Sequence, residues 1–332
     1  MRVLITGGAG FLGQRLALAL LERGHIPDAS GQDRGIDEVC IVDTVLPQDL
    51  IPHSRINYWT LDIADPKALD DLFAVPPDAI FHLAAVVSAQ AEADFALGMR
   101  VNLDGTRNLF ECCRRVRERG HLVRLVFASS VAVFGGTLPE IVTDDTAPTP
   151  EGSYGAQKLI AEILVRDYAR KRFIDARAVR VPTIVVRPGK PNGAASGFAS
   201  GIIREPMGGL SAVCPVPPDT AMWIASPRSA VAALIHAYTL AAEQWGVERS
   251  LNLPGLTVQI AEMVEALKDV AGAEAVKRIV FRTDAAIEAL VRSWPARFDP
   301  ARALRLGFTA DADIRSILTQ YRDDFLRRSA AH

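Results

Sequence analysis

Thr6-Gly7-Gly8-Ala9-Gly10-Phe11-Leu12-Gly13 is the stretch of this sequence that decides the fold. An apolar run, Val3 to Thr6, leads into it, and Phe11 to Glu22 has the apolar spacing of an amphipathic helix. The spaced glycines allow a tight turn, let the backbone approach a pyrophosphate, and aim the first helical amides at it. The stretch therefore predicts a strand, a turn and a helix that together bind a dinucleotide.

Short apolar runs alternate with helical patterns as far as residue 186. The strand candidates are Val3 to Thr6, Val39 to Asp43, Ile56 to Leu61, Ala79 to Ala84, Leu122 to Ser129 and Ala176 to Val186. Strands joined by helical crossovers form a parallel sheet covered on both faces. We therefore expect residues 1–186 to form a doubly wound α/β domain of the Rossmann type.

The remainder of the chain is rich in glycine and proline directly after Arg187, which is typical of loops. Helical patterns resume at Pro227 to Glu243, Ile260 to Ala271 and Ala285 to Ser293, and a strand is predicted at Arg278 to Phe281. We expect the first of these helices to return to the Rossmann domain. Residues 187–226 and 244–332 are then predicted to form a smaller substrate-binding region.

Asp43 ends the second predicted strand, where a carboxylate can accept hydrogen bonds from the hydroxyls of the adenosine ribose. The same carboxylate repels a 2′-phosphate, and Thr44, Val45 and Leu46 add no basic residue that would bind one. NAD is therefore favoured over NADP. Asp43 lies thirty residues after Gly13, and an insertion through residues 27–37 accounts for the length.

Composition excludes several classes of function. The formal net charge of −2 gives no reason to expect a nucleic-acid partner, and no apolar run is long enough to span a membrane. The four cysteines lack zinc-site spacing, and the six histidines suggest no metal cluster. Without a signal segment, we expect a soluble, cytoplasmic protein that holds no metal.

Tyr154 and Lys158 stand four residues apart at the start of a predicted helix, so both project from one face. A free tyrosine has a pKa of about 10, and a nearby ammonium lowers the pKa of the phenol toward the range of a general base. A strand ending at Ser130 precedes the pair, which places a hydroxyl at the carboxyl end of the sheet, where cofactors bind.

With these motifs the sequence resembles the extended short-chain dehydrogenase/reductase family, also described as NAD-dependent epimerases and dehydratases, over almost the whole chain. The resemblance implies that Ser130 polarises the reacting oxygen, Tyr154 is the acid/base, and Lys158 supports Tyr154 and holds the nicotinamide ribose. It also implies a homodimer that pairs helices at Asp94 to Cys113 and Tyr154 to Arg172, although burial against the sheet explains their apolar faces equally well. The expected cofactor-binding residues are Gly7, Gly10, Phe11, Leu12, Gly13, Asp43, Asp62, Ile63, Leu83, Ala84, Ala85, Asn102, Tyr154, Lys158, Pro182 and Ile184.

Two segments, 85–95 and 187–206, are similar to those of D-erythronate dehydrogenases. This resemblance implies oxidation of the C2 hydroxyl of a small sugar acid by NAD. The expected substrate-binding residues are Ser88, Ser130, Tyr154, Lys190 and Asn192.

Two alternatives stay open at this point. The first is a nucleotide-sugar epimerase or dehydratase, in which the bound cofactor takes a hydride from the sugar and later returns it. Against it, Phe134 replaces the tyrosine found in many such enzymes. The second is a redox sensor that binds NAD without turnover. His82 is interpreted as a hydrogen-bonded core residue rather than as a catalyst.

Overall fold

The computed structural model describes residues 1–47, 50–189 and 195–326. The strands, numbered in chain order, are β1 Arg2–Thr6, β2 His25–Pro27, β3 Asp33–Gly35, β4 Glu38–Asp43, β5 Ile56–Thr60, β6 Ala79–His82, β7 Arg124–Ser130, β8 Asp175–Val181, β9 Thr183–Ile184, β10 Ala212–Cys214, β11 Ala221–Ala225, β12 Ser250–Asn252, β13 Leu256–Gln259 and β14 Ile279–Phe281. The α-helices are α1 Phe11–Arg23, α2 Pro66–Leu72, α3 Ser88–Ala93, α4 Phe95–Gly98, α5 Thr106–Glu118, α6 Ser153–Arg170, α7 Gly197–Met207, α8 Pro227–Thr239, α9 Ala242–Trp245, α10 Ile260–Ala271, α11 Ala273–Val276, α12 Ala285–Arg292, α13 Ala301–Arg305 and α14 Ile314–Tyr321. Met99–Gly105 and Arg322–Leu326 are π-helical, and Val131–Val133 forms a 3₁₀ turn.

The chain divides into two compact units. The first contains residues 1–133, 152–180 and 231–251, and the second contains residues 134–151, 181–230 and 252–332. Residues 134–151 and 181–186 thus group with the second unit, although the sequence placed them in the Rossmann domain. The assignment of NAD binding to one region and substrate binding to the other stays a prediction.

A seven-stranded sheet forms the centre of the first unit, in the order β12-β8-β7-β6-β1-β4-β5. β1 is parallel to both of its neighbours, and β4–β5 and β6–β7 are parallel pairs as well. From β1 the chain builds one side of the sheet through β4 and β5, and then crosses to the other side of β1 with β6. This reversal is the topological switch point at which doubly wound sheets bind ligands. The predicted doubly wound α/β fold is confirmed.

The core of the first unit packs the apolar residues of the sheet against α2, α5 and α6. Buried Arg177 of β8 ties α8 to this core, because its Nη1 donates to the carbonyl oxygens of Ala237, Tyr238 and Leu240. The last carbonyls of a helix have no partner within the helix, and a guanidinium satisfies them while opposing the negative end of the helix dipole.

The second unit contains smaller sheets. β11 pairs antiparallel with β13 and parallel with β9, and β10 pairs with β14. Its core packs apolar residues of α7, α10 and α14 around these strands.

Two predicted elements were wrong in extent. The strand predicted over Ala176 to Val186 is interrupted at Pro182, which has no amide hydrogen to donate, and β9 joins another sheet. The helix predicted over Pro227 to Glu243 ends at Thr239, and the short α9 follows it. The predicted insertion after α1 is the hairpin β2–β3.

Among the described residues, none of the helices combines the length and apolar character needed to cross a bilayer. The same residues contain no group of three or more histidine, cysteine or acidic side chains placed to hold a metal ion.

Candidate active site

The turn between β1 and α1 has the geometry of a phosphate cradle. Gly7 adopts a positive φ of 68°, and the amide of Gly10 donates to the carbonyl oxygen of Gly7 at 3.2 Å. Gly10 is also the N-cap of α1, and no described side chain caps the helix there. The first turn of α1, which begins with Phe11 and Leu12, therefore offers backbone amides to an anion.

At two of these positions, Gly7 and Gly13, the neighbouring backbone leaves no room for a side chain. A Cβ at Gly7 would lie 2.6 Å from the amide nitrogen of Ala84, and one at Gly13 would lie 2.5 Å from the Cα of Gly8. The missing side chain at Gly7 lets the loop after β6 approach the turn, and the missing side chain at Gly13 lets α1 pack closely on the turn. A turn that a methyl group would fill, under a helix N-terminus, fits the pyrophosphate of a dinucleotide.

Asp43 lies at the end of β4, beside the turn. Its carboxylate accepts hydrogen bonds from the amides of Ala9 at 3.2 Å and Thr44 at 2.9 Å. Burial raises the pKa of Asp43, while these amide hydrogen bonds oppose the shift. The carboxylate is thus fixed next to the turn, and its predicted role on the adenosine ribose stays a prediction.

Asp62 and Ile63, the predicted adenine pocket, follow β5. The Asp62 carboxylate accepts from the amide of Ala64 and pairs with Arg100. Burial alone would raise the pKa of Asp62, but these partners outweigh it and lower the pKa. Ile63 is buried, and a Cβ at Gly105 would lie 2.8 Å from its Cγ1. The π-helical turn therefore packs closely on Ile63, and the role of Asp62 and Ile63 as an adenine pocket stays a prediction.

The loop Leu83 to Ala85 leaves β6 half-buried, and Asn102 holds the residue that follows it. The Oδ1 of Asn102 accepts from the amide of Val86 at 2.7 Å, and its Nδ2 donates to the carbonyl oxygen of Val86 at 3.0 Å. The same Nδ2 donates to Oε1 of Gln157 at 2.7 Å. Asn102 thus ties the loop beside the glycine turn to helix α6.

His82 is fully buried and bonded at both ring nitrogens. Nδ1 lies 2.6 Å from the hydroxyl of Thr6, and Nε2 lies 2.9 Å from the hydroxyl of Thr106. Thr106 donates its own hydroxyl hydrogen to the carbonyl oxygen of Asn102, so His82 carries its hydrogen on Nε2. Burial, with a smaller effect of Lys158, lowers the pKa of His82 to about 3. His82 is therefore a buried, hydrogen-bonded side chain, and its interpretation as a core residue rather than a catalyst stays a prediction.

Tyr154 and Lys158 project together from the first turns of α6. The Nζ of Lys158 lies 5.6 Å from the centre of the Tyr154 ring and 4.6 Å from that of Phe127. It donates to the carbonyl oxygen of Ala128 at 2.9 Å. Burial lowers the pKa of Lys158 to about 7, and the charge of Glu162 opposes that shift. The two side chains are therefore neighbours, and their roles in catalysis stay predictions.

The structure separates two adjacent serines at the end of β7. Ser129 is buried and donates its hydroxyl hydrogen to Oε1 of Glu162 at 2.5 Å. Ser130 is only half-buried, and its Oγ accepts from the amide of Ala132 at 3.1 Å. That contact orients the Ser130 hydroxyl and leaves its hydrogen available to another oxygen.

Sequence reasoning missed a buried ion pair behind Lys158. Arg180 of β8 donates to both carboxylate oxygens of Glu162, at 2.7 to 3.1 Å. Glu162 follows Lys158 by four residues, a spacing that places both side chains on one helical face. That spacing was the available signal, but an arginine on a strand gives no indication of its partner.

The other predicted site residues are placed as follows. Ser88 begins α3, Pro182 and Ile184 lie in the second unit, and Lys190 and Asn192 fall outside the described residues. Two further cations near that segment have protein partners. Arg187 donates to the carbonyl oxygen of Ile184 and to Ser196, and Arg204 donates to the carbonyl oxygen of Arg187 and to Glu205.

The model of the NAD dependent epimerase/dehydratase family matches residues 3–215. The chain belongs to this family. The match confirms the predicted family, the prediction of an enzyme, and NAD as its cofactor.

The sequence of this chain is similar to those of curated relatives over almost its full length. It is 52% identical to a protein of Cupriavidus necator named D-erythronate dehydrogenase, over 98% of both chains. It is 43% identical to a Haemophilus influenzae protein of the same name, over 97% of this chain and 98% of the relative. The predicted resemblance to this group is confirmed.

A solved structure gives a second comparison. The Agrobacterium tumefaciens protein described as a nucleoside-diphosphate-sugar epimerase superimposes with a TM-score of 0.91 at 41% identity. The alignment covers 98% of this chain and 95% of that one.

Proposed function

We propose that this family member oxidises the C2 hydroxyl of D-erythronate, giving 2-dehydro-D-erythronate, NADH and a proton. The observation that carries the proposal is the 52% identity, over 98% of both chains, to the Cupriavidus necator D-erythronate dehydrogenase. The Tyr154, Lys158 and Ser130 arrangement supports it, because oxidation of an alcohol requires a base at the hydroxyl and a donor that holds its oxygen.

NAD, when bound, would supply the hydride acceptor. The side chains of this protein remove the proton and orient the alcohol. Tyr154 as a phenolate removes the proton of the C2 hydroxyl. The Lys158 ammonium, 5.6 Å from the ring of Tyr154, stabilises the phenolate by its charge. Ser130, oriented by the amide of Ala132, donates to the C2 oxygen and fixes the position of the alcohol.

Several residues would hold the cofactor. The amides of the Gly7 to Gly13 turn would bind the pyrophosphate, and Asp43 would accept from the adenosine ribose. Lys158 would also donate to the nicotinamide ribose. Asp62, Ile63, Leu83 to Ala85 and Asn102 complete the proposed set in the first unit. Pro182 and Ile184 stay predictions of the family resemblance.

The substrate carboxylate needs a cation, and hydroxyls need polar partners. Ser88, Lys190 and Asn192 remain the proposed substrate-binding residues. Arg187 and Arg204 are weaker candidates, because backbone carbonyls and Glu205 already accept from their guanidinium groups.

A nucleotide-sugar epimerase is the second candidate, because the similar Agrobacterium tumefaciens structure carries that description. Phe134 speaks against it. Its ring is buried and lies 5.7 Å from that of Phe298, so this position offers no hydroxyl to a sugar.

The test is to follow NADH absorbance with D-erythronate, other four- to six-carbon aldonates and nucleotide sugars as separate substrates. We expect NADH to accumulate with D-erythronate and not with nucleotide sugars, and Tyr154→Phe to abolish it while retaining NAD binding. If a nucleotide sugar is epimerised and no NADH accumulates, the proposed dehydrogenase activity is wrong and the protein is a nucleotide-sugar epimerase. Tight NAD binding with no turnover of any substrate would indicate a redox sensor.

We also propose a cytoplasmic homodimer. The described cysteines are all buried and unpaired, as expected in a reducing compartment. Ile160 and Ile163 are exposed on α6, one of the two helices that the family resemblance implies at the interface. Light scattering after size exclusion should give twice the chain mass, and Ile163→Arg should shift it toward the monomer.

A further inference from the structure

Three chemically active side chains follow one face of α6. Tyr154, Lys158 and Glu162 are spaced by four residues each, so they lie one above another along the helix. Tyr154 is half-buried, whereas Lys158 and Glu162 are almost completely buried. The proposed mechanism uses the first two and leaves the buried carboxylate without a role.

Glu162 is held rigidly from the sheet. Nε of Arg180 donates to both carboxylate oxygens at 3.0 and 3.1 Å, and its Nη2 donates to Oε2 at 2.7 Å. Ser129 adds its 2.5 Å hydrogen bond to Oε1. Burying two charges costs free energy that their attraction rarely exceeds, and apolar residues would often pack there at least as stably. Stability alone therefore gives little reason for a carboxylate at this position.

Lys158 faces polar and aromatic groups on β6 and β7 that carry no negative charge. From β7 it receives the Ala128 carbonyl oxygen and the face of the Phe127 ring. From β6 it faces His82, which is uncharged. On its own helix it has the Tyr154 phenol above it and Glu162 below.

Glu162 is the acidic group that acts on Lys158 among the described residues. Burial lowers the pKa of Lys158 to about 7, and the charge of Glu162 raises it against that effect. A modest change in this field therefore changes the charged fraction of Lys158 at neutral pH.

We propose that Glu162 is a positioning residue whose buried charge favours the ammonium form of Lys158, with Arg180 and Ser129 holding the carboxylate in place. The link to catalysis rests on the proposed function, because the Lys158 ammonium in turn favours the Tyr154 phenolate. Without the carboxylate, Lys158 loses its proton at a lower pH, and Tyr154 needs a higher pH to act as a base.

The direct test is the titration of Lys158 in the protein without substrate. The chain has six lysines, so ¹³C labelling at the lysine ε-carbon gives a simple spectrum, and the signal lost in Lys158→Met assigns the residue. Glu162→Gln keeps the shape and removes the charge. We expect the Lys158 midpoint to fall by about one pH unit. A midpoint unchanged from that of the unmodified protein would overturn the proposal, whatever the substrate proves to be.

Glu111→Gln is the matched control. Glu111 lies on α5 of the same unit. Like Glu162, it accepts from a hydroxyl and an arginine, here those of Tyr168 and Arg114, and it does not contribute to the electrostatic field at Lys158. Its replacement should leave the Lys158 midpoint in place. Glu162→Asp keeps the charge and should restore most of the normal midpoint.

Glu162→Gln leaves the Arg180 charge buried without its partner, which can unfold the protein. The double variant Glu162→Gln/Arg180→Gln removes both charges and should still lower the Lys158 midpoint, by less than the single variant because the repelling Arg180 charge is removed as well. If neither variant gives a folded circular dichroism spectrum, the pair is structural and the proposal is wrong.

Activity supplies a second readout. In Glu162→Gln, the rising limb of kcat/KM against pH for alcohol oxidation should move about one pH unit to the alkaline side. A uniform loss of kcat/KM at all pH values would indicate a structural role instead.

Discussion

Ser129 donates a 2.5 Å hydrogen bond to the carboxylate of Glu162, and both side chains are buried. The neighbouring Ser130 instead accepts from the amide of Ala132 and stays half-buried. Two identical side chains, adjacent in sequence, therefore have different tasks. The first supports the ion pair behind Lys158, and the second is the proposed partner of the substrate oxygen.

Replacing each serine by alanine should separate these tasks. Ser130→Ala should lower kcat by about 10²- to 10³-fold, because a donor to the reacting oxygen is lost, with little change in thermal stability. Ser129→Ala removes a donor from a buried carboxylate and should lower the free energy of unfolding by about 1–3 kcal/mol. Steady-state kinetics and urea unfolding of both variants check this. Equal effects of the two variants on kcat would contradict the assignment of Ser130.

Gly13→Ala tests the glycine turn. The new methyl group would lie 2.5 Å from the Cα of Gly8, so α1 must move away from the turn. We expect NAD affinity to fall at least about tenfold, measured by calorimetry. Gly35→Ala is the control, since no atom lies within 4 Å of its added methyl group and its φ is not positive. Unchanged NAD affinity in Gly13→Ala would show that the turn does not hold the cofactor.

Asp43→Asn tests the preference for NAD. The amide group can still accept one backbone hydrogen bond, but it neither repels a 2′-phosphate nor accepts as strongly from ribose hydroxyls. The ratio of kcat/KM for NAD to that for NADP should fall by about tenfold or more. Kinetics with both cofactors measure the ratio, and a ratio that does not change would remove Asp43 from the ribose site.

His82 should make stability depend on pH. Its pKa is 6.5 unperturbed and about 3 when folded, so between these values the unfolded chain binds the extra proton. The stabilising contribution of His82 to the free energy of unfolding is fully present above pH 6.5 and decreases as the pH falls. Between about pH 7.5 and 5.5 the decrease is about 1.4 kcal/mol. Urea unfolding should show this slope, and His82→Gln should remove it. The same slope in the variant would assign the titration to other groups.

Local signals in the sequence were sufficient for six of the seven strands of the sheet in the first unit, and β12 was not predicted. β1, β4 and β6 lie within two residues of their predicted bounds, because each is a short apolar run with clear ends. Tyr154 and Lys158 were found because one helical turn relates them. Pro182 illustrates the limit, since the apolar run through it concealed a change of sheet.

Non-local partners explain what the sequence did not reveal. Arg180 meets Glu162 from eighteen residues away, and Thr106 meets His82 from twenty-four. Such pairs depend on which strand lies beside which helix, and side-chain periodicity carries no information about that. The roles of the site residues accordingly stay predictions until variants are measured.

The π-helical turn Met99–Gly105 has a consequence for how this protein tolerates shortening. Its hydrogen bonds span five residues instead of four, so removing one residue can convert it to an ordinary α-helix. Such a deletion between Asn102 and Thr106 would rotate Asn102 by about 100° relative to α5. Its amide would then leave both Val86 and Gln157. A chain shortened in this way should fold with a regular helix yet release the loop beside the glycine turn, so helical regularity and cofactor binding are alternatives in this segment.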